Sequence, residues 1–215
     1  GQKLDEYVEN ELYKPLKLKD TVFNPLQKGF KSKDIAATEL LGNTRDGVID
    51  FPNIRKYTLQ GEVHDEKAFY SMEGVSGHAG LFSTTSDLAV LLQVMLNGGG
   101  YGNHTLFDQE TIDEFVAPSD MNSTYGLGWR RNGNDSMEWM FSPYASDSAY
   151  GHTGWTGTVT IIDPEKDLGI VLLTNKKHSP LVNPAVNSNQ FFGDLFTTGS
   201  YGSVVTAVYE ALESK

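Results

Sequence analysis

The stretch that decides the fold is Tyr150-Gly151-His152-Thr153-Gly154-Trp155-Thr156-Gly157-Thr158-Val159-Thr160-Ile161-Ile162. It opens with glycines, small residues and a histidine, then runs into β-branched apolar residues, the composition of a strand. Asp163-Pro164-Glu165-Lys166-Asp167 makes a turn. Leu168-Gly169-Ile170-Val171-Leu172-Leu173-Thr174 returns as a second strand. The spacing predicts a hairpin whose apolar runs imply burial on both faces. The glycines at its leading end allow a ligand to approach the backbone closely. A strand this buried has no need of a histidine for stability, so His152 marks a candidate site.

Outward from the hairpin, the clearest helix follows Ser83 to Ser86. Asp87 suits its first turn, and Leu88, Leu91, Leu92, Met95 and Leu96 recur at helical spacing. Gly98-Gly99-Gly100 ends it. A second helix is expected over 108–116, capped by Asp108, and a C-terminal amphipathic helix carries Val204, Val205, Val208 and Leu212. Tyr125–Arg130 and Glu138–Phe141 read as strands, with a turn at Asn132-Gly133-Asn134-Asp135 between them. Residues 3–14 read as a helix, 26–62 as an irregular packed excursion or functional loop region, and 176–200 as loop. The order helix, helix, antiparallel strands, helix gives an α+β fold of the α/β sandwich type, an antiparallel sheet flanked by helices. Residues 1–75 are expected to form part of a helical and loop subdomain. Residues 76–215 are expected to form the helix, antiparallel sheet and terminal helix.

At 215 residues and a net charge of −11, the chain supports a packed globule and argues against nucleic acid as partner. With no cysteine it has no disulfide, thiolate ligand or cysteine nucleophile. No run of 18 apolar residues reads as a membrane-spanning helix. His64, flanked by carboxylates in Gly61-Glu62-Val63-His64-Asp65-Glu66, and His78 in a glycine-rich loop are two further candidates. Each reads either as a support of a cleft or as a structural histidine. A metal-dependent hydrolase built on His64, Asp65 and His78 is the weakest alternative. His104 and His178 are expected in solvent.

His152-Thr153-Gly154 has the form of the K-T-G motif of penicillin-recognising serine enzymes, with His in place of Lys. The strand's first side chain faces the cleft, Thr153 offers a hydroxyl, and Gly154 leaves room for substrate. The backbone N–H of Trp155 could stabilise an oxyanion. In order along the chain come 77–89 (Gly-His-Ala-Gly-Leu-Phe-Ser-Thr-Thr-Ser-Asp-Leu-Ala), 125–129 (Tyr-Gly-Leu-Gly-Trp), 151–157 and 163–175. Together they resemble the serine β-lactamase-like family, which includes class C β-lactamases, low-molecular-weight penicillin-binding proteins and related esterases. Residues 61–66 with 77–80 look most like bacterial penicillin-binding-protein homologues. The segment 4–24 resembles the stretch that follows that family's second motif.

The resemblance implies a partial β-lactamase/transpeptidase-like fold and acyl transfer through a serine. It implies a substrate that is a β-lactam, cell-wall peptide or ester, and a bacterial envelope or secreted location. No cofactor and no metal are called for. The sequence has no S-x-x-K, and its Tyr101-Gly102-Asn103 lies after the Gly-His-Ala-Gly stretch rather than before it. The chain is therefore expected to be the C-terminal portion of a longer enzyme and inactive alone. Its expected partners are a small-molecule or peptide substrate, the N-terminal remainder of the same protein, and a second copy through an exposed sheet edge. The competing expectation is a non-catalytic cell-wall peptide-binding module of the same fold. Histidine in place of lysine brings a charge that changes near neutrality, which fits an esterase or peptidase-like variant as well as a β-lactamase.

Overall fold

The structure is a computed structural model and describes residues 1–214. The chain folds as two compact units. Among the described residues one comprises 85–154, 158–173 and 197–214; the other comprises 1–84, 155–157 and 174–196. The N-terminal unit runs to Thr84 rather than to the expected residue 75, and the later segments 155–157 and 174–196 return to it.

The sheet unit is built on the predicted hairpin. Thr158–Asp163 pairs antiparallel with Leu168–Leu173 on one side and with Tyr150–Gly154 on the other, and Arg130–Arg131 completes the four strands. Strand side chains alternate between faces. Val159 and Ile161 therefore share one face with Ile170, and this face packs with Tyr201, Val205 and Tyr209 of the C-terminal helix Tyr201–Glu213. Ile162 and Tyr150 lie on the other face, against Leu92 of the helix Thr85–Leu96. The helix–sheet–helix sandwich follows from two apolar faces on one hairpin. The helix Gln109–Val116 starts as expected, with Asp108 Oδ1 accepting from the Thr111 N–H at 2.8 Å.

Three expectations are corrected. Glu138–Phe141 is a helical turn, not a strand. Asn134 Oδ1 accepts from the Ser136 N–H at 3.0 Å and starts helical winding. Met137, Met140 and Phe141 are then buried at helical spacing, which four residues of sequence could not reveal. Tyr125–Arg130 is mostly turn. Gly128 takes a left-handed φ of 79°, the Gly126 N–H reaches the Trp129 carbonyl at 3.0 Å, and only Arg130–Arg131 joins the sheet. Within 176–200 lies a hairpin, Leu181–Asn183 with Asn187–Phe191, whose asparagines hide the alternation.

The other unit has less regular structure. Leu4–Val8 continues as a wider helical turn over Glu9–Tyr13. Short pairs, Val22–Phe23 with Leu81–Phe82 and Ala37–Glu39 with Leu59–Gln60, tie distant segments together. The interior here is partly polar, with Asn43, Arg45, Arg55 and Glu39 all buried. No helix among the described residues is long and apolar enough to cross a membrane.

Asp163 is fully buried at the hairpin's end. Its Oδ2 accepts from Tyr209 Oη at 2.7 Å and from the Ser146 N–H at 3.0 Å. Burial, and then Asp163, push the Tyr209 phenol well above its ordinary range, so it stays protonated and donates. Tyr209→Phe strips a donor from a buried carboxylate and should cost about 1–3 kcal/mol in urea unfolding. A change within error would show that the Ser146 N–H and the Lys166 N–H, which donates to Asp163 Oδ1 at 3.3 Å, suffice.

Candidate active site

The strand Tyr150–Gly154 sets the first candidates. Cα pairing puts His152 opposite Thr160 and Thr153 opposite Val159, so consecutive side chains leave opposite faces. Tyr150 and Gly151 are buried, but His152 is exposed. Its Nδ1 lies 2.8 Å from the Thr153 carbonyl oxygen. A carbonyl only accepts, so Nδ1 carries a proton and Nε2 is left free to face a ligand.

The glycines divide by role. A Cβ on Gly151 would lie 2.0 Å from the Thr160 carbonyl oxygen, so this glycine is required by strand packing, not by a ligand. Gly157 sits at φ +115° in the turn. At Gly154 a Cβ would meet only the side chain of Thr158. The Gly154 carbonyl accepts from Tyr201 Oη at 3.3 Å. No peptide bond among the described residues is cis, so the N–H of Trp155 points opposite to that carbonyl.

Trp155 itself belongs to a buried charge network that sequence reasoning missed. Arg45 Nη1 donates to both Glu39 oxygens at 2.8 and 2.7 Å, and Nη2 reaches Glu66 at 3.2 Å. His64 Nε2 also meets Glu39. Arg55 donates to the carbonyls of Val63 and His64 at 2.8 and 3.0 Å and to Asn43 at 2.9 Å, which fixes the loop that carries His64. Lys177 Nζ pairs with Asp194 at 2.7 Å. Burial pulls the Lys177 ammonium below its ordinary range despite Asp194. For Asp194, burial pushes the other way, but Lys177, the Phe191 N–H and Lys176 together hold the carboxyl below its usual value. Arg45 and Lys177 lie in segments without periodicity, so no sequence signal marked them.

His78 is placed differently. Its Nε2 lies 3.1 Å from Asp65 Oδ1 and its Nδ1 3.1 Å from Ser76 Oγ. Ser76 Oγ also donates to the Ala79 carbonyl at 3.0 Å and accepts from the Ala79 N–H at 3.2 Å. The chain Asp65–His78–Ser76 has the connectivity of a nucleophile relay, but the hydroxyl is engaged by its own loop, which makes it a staple. His64 and Asp65 thus face different partners, and no group of three or more potential metal ligands occurs among the described residues. His178, expected in solvent, is half-buried, with Nδ1 unpartnered among the described residues.

These features define a class: a helix–sheet–helix sandwich whose strand carries His-Thr-Gly. Residues 1–191 match the Beta-lactamase family, and the chain belongs to it. It is 71% identical over 213 residues to an N-acetylmuramyl-L-alanine amidase of Bacillus subtilis, covering 99% of this chain and 48% of that one. It is 61% identical over 215 residues to a putative D-alanyl-D-alanine carboxypeptidase of Escherichia coli, covering 100% and 50%. The chain thus spans about half the length of these relatives. A penicillin-binding-protein homologue from Caulobacter crescentus superposes with a TM-score of 0.54 at 17% identity, covering 98% of this chain and 53% of that one. That likeness carries the fold, a mixed α+β arrangement of the β-lactamase and penicillin-binding-protein kind.

The carboxylate of Asp194 supplies a pH test. Because its value is depressed, the stability it contributes is present above about pH 4 and is lost as pH falls through the folded-state value. Asp194→Asn should melt lower than the parent at pH 7, with the gap closing on acidification below about pH 4. A gap that stays constant with pH would assign the effect to hydrogen bonding alone.

Proposed function

We propose that this chain is the part of a serine hydrolase of cell-wall peptides that supplies one wall of the acyl-transfer cleft. The observation that carries the reading is the strand end His152-Thr153-Gly154-Trp155. There an exposed histidine, a hydroxyl and the N–H of the peptide that ends the strand follow one another after the buried Tyr150 and Gly151. The names of the amidase and carboxypeptidase relatives support a peptidoglycan-derived substrate, and hence an envelope or secreted location.

In the proposed reaction a serine hydroxyl, supplied by residues outside this chain, adds to the substrate carbonyl as its proton passes to a base. The carbonyl oxygen becomes an oxyanion, and the Trp155 N–H donates to it. Expulsion of the amine, which takes up a proton, leaves an acyl-serine ester, and water then releases the acid. Thr153 binds the substrate, and His152 orients it or supports it electrostatically through Nε2. The outer strand Leu168–Leu173, paired on one side only among the described residues, is the edge at which the remainder of the protein or a second copy would add.

Two assays test the reading. Residues 1–215 alone should turn over neither nitrocefin nor a p-nitrophenyl ester, since they carry no S-x-x-K. A longer protein in which an S-x-x-K segment precedes these residues should release D-alanine from a D-alanyl-D-alanine peptide. Thr153→Ala should lower its kcat/KM about 10–100-fold. Turnover by 1–215 alone would overturn the split-site reading. Peptide binding without turnover in the longer protein would favour a non-catalytic module.

A further inference from the structure

The indole of Trp155 meets charged groups where a strand-end tryptophan would ordinarily meet apolar ones. Lys177 Nζ lies 4.5 Å from the ring centroid and Arg45 Cζ 5.6 Å. The His64 ring is 6.2 Å away, tilted by 36°. These are not stray surface cations, because Lys177 and Arg45 are only 5% and 6% exposed. Glu39 anchors Arg45 and His64, and Asp194 anchors Lys177. A buried ion pair gains little over apolar packing, yet two independent pairs converge on this one ring. Cations over an indole face are attracted to its quadrupole, and more strongly when desolvated.

Burial of the indole is not the reason for the arrangement, since Trp155 remains 45% exposed. What the two cations can fix is the ring's position, and through it the main chain of Trp155–Gly157. The far end of that turn is also tied, since the Gly157 carbonyl accepts from the Thr174 N–H at 3.1 Å and from Thr174 Oγ1 at 2.5 Å.

We infer that Glu39, Arg45, His64 and Lys177 are positioning residues: they hold the Trp155 indole so that its backbone N–H keeps one orientation. The catalytic meaning rests on the proposed oxyanion role of that N–H, but the position of the ring can be measured without any turnover.

The chain has three tryptophans. Labelled with 5-fluorotryptophan, it should give three fluorine resonances, with that of Trp155 assigned by its loss in Trp155→Phe. Lys177→Met and Glu39→Gln should each shift and broaden the Trp155 resonance and increase its relaxation by a soluble gadolinium chelate. The other two resonances should stay in place. Lys177→Arg, which keeps the cation, should restore most of the shift. A Trp155 resonance unmoved in folded Lys177→Met overturns the inference, even if the melting temperature falls, because the pair would then be merely structural. Should Glu39→Gln fail to fold, Lys177→Met decides alone, since it leaves Glu39, Arg45 and His64 intact. In a longer, active protein, Lys177→Met should lower kcat about tenfold with KM within about twofold. Absence of any turnover there would remove the hydrolase reading while leaving the fluorine result standing. An unmoved resonance beside intact turnover would remove only the positioning role.

Discussion

Alternation along Thr158–Asp163 is the constraint on which the sheet unit depends. Both faces of this strand are closed by helices, so a slip of one residue would turn every apolar side chain to the wrong layer. Asp163 fixes the register further. It is buried at the end of the apolar run, and Tyr209, the Ser146 N–H and the Lys166 N–H meet its oxygens only in the observed pairing. The same register sets His152 opposite Thr160. The placement of a candidate catalytic side chain is thus a consequence of packing several residues away.

The other unit solves a different problem. Its chain between 26 and 62 is largely irregular, and irregular backbone that is buried must find hydrogen-bond partners other than a ladder. Side chains supply them. Asn43 donates to the His64 carbonyl at 3.0 Å, and Arg55 takes the carbonyls of Val63 and His64 while stacking 3.7 Å from the Phe69 ring centroid. Arg45 and Asp46 adopt left-handed φ values of 52° and 54°, and Asp46 Oδ2 accepts from the Leu181 N–H at 2.9 Å. A polar core of this kind is specific where its groups are paired, as nearly all of these are, although Arg45 Nε is buried without a partner among the described residues. That explains how a segment without periodicity holds one conformation.

What could be read from the sequence follows the same division. The hairpin and the helices at 85–96, 109–116 and 201–213 carry their periods on the surface of the sequence, and they fold where the periods place them. Glu138–Phe141 failed because four residues cannot separate period 2 from period 3.6. Leu181–Phe191 failed because polar residues on a largely exposed hairpin erase the alternation. The His-Thr-Gly strand was legible as a motif. The charge network beside Trp155 was not, since the Glu39–Arg45 and Lys177–Asp194 pairs lie in two distant segments and obey no spacing rule. His64 drew notice through its acidic neighbours, but the carboxylate it meets is none of them but Glu39, while its neighbour Glu66 pairs with Arg45 instead.

The glycines that first drew attention to the strand turn out to be the weaker signal. Gly151 is forced by the Thr160 carbonyl and Gly157 by its left-handed φ, so both would be needed in a protein with no ligand at all. The informative observation is the exposure of His152 directly after two buried residues on a strand whose neighbour is buried over most of its length. Packing gives no reason for that side chain, and its ring is nonetheless oriented by the Thr153 carbonyl. Sequences tend to depart from folding rules at functional or strained sites, and that departure is what makes His152 a candidate.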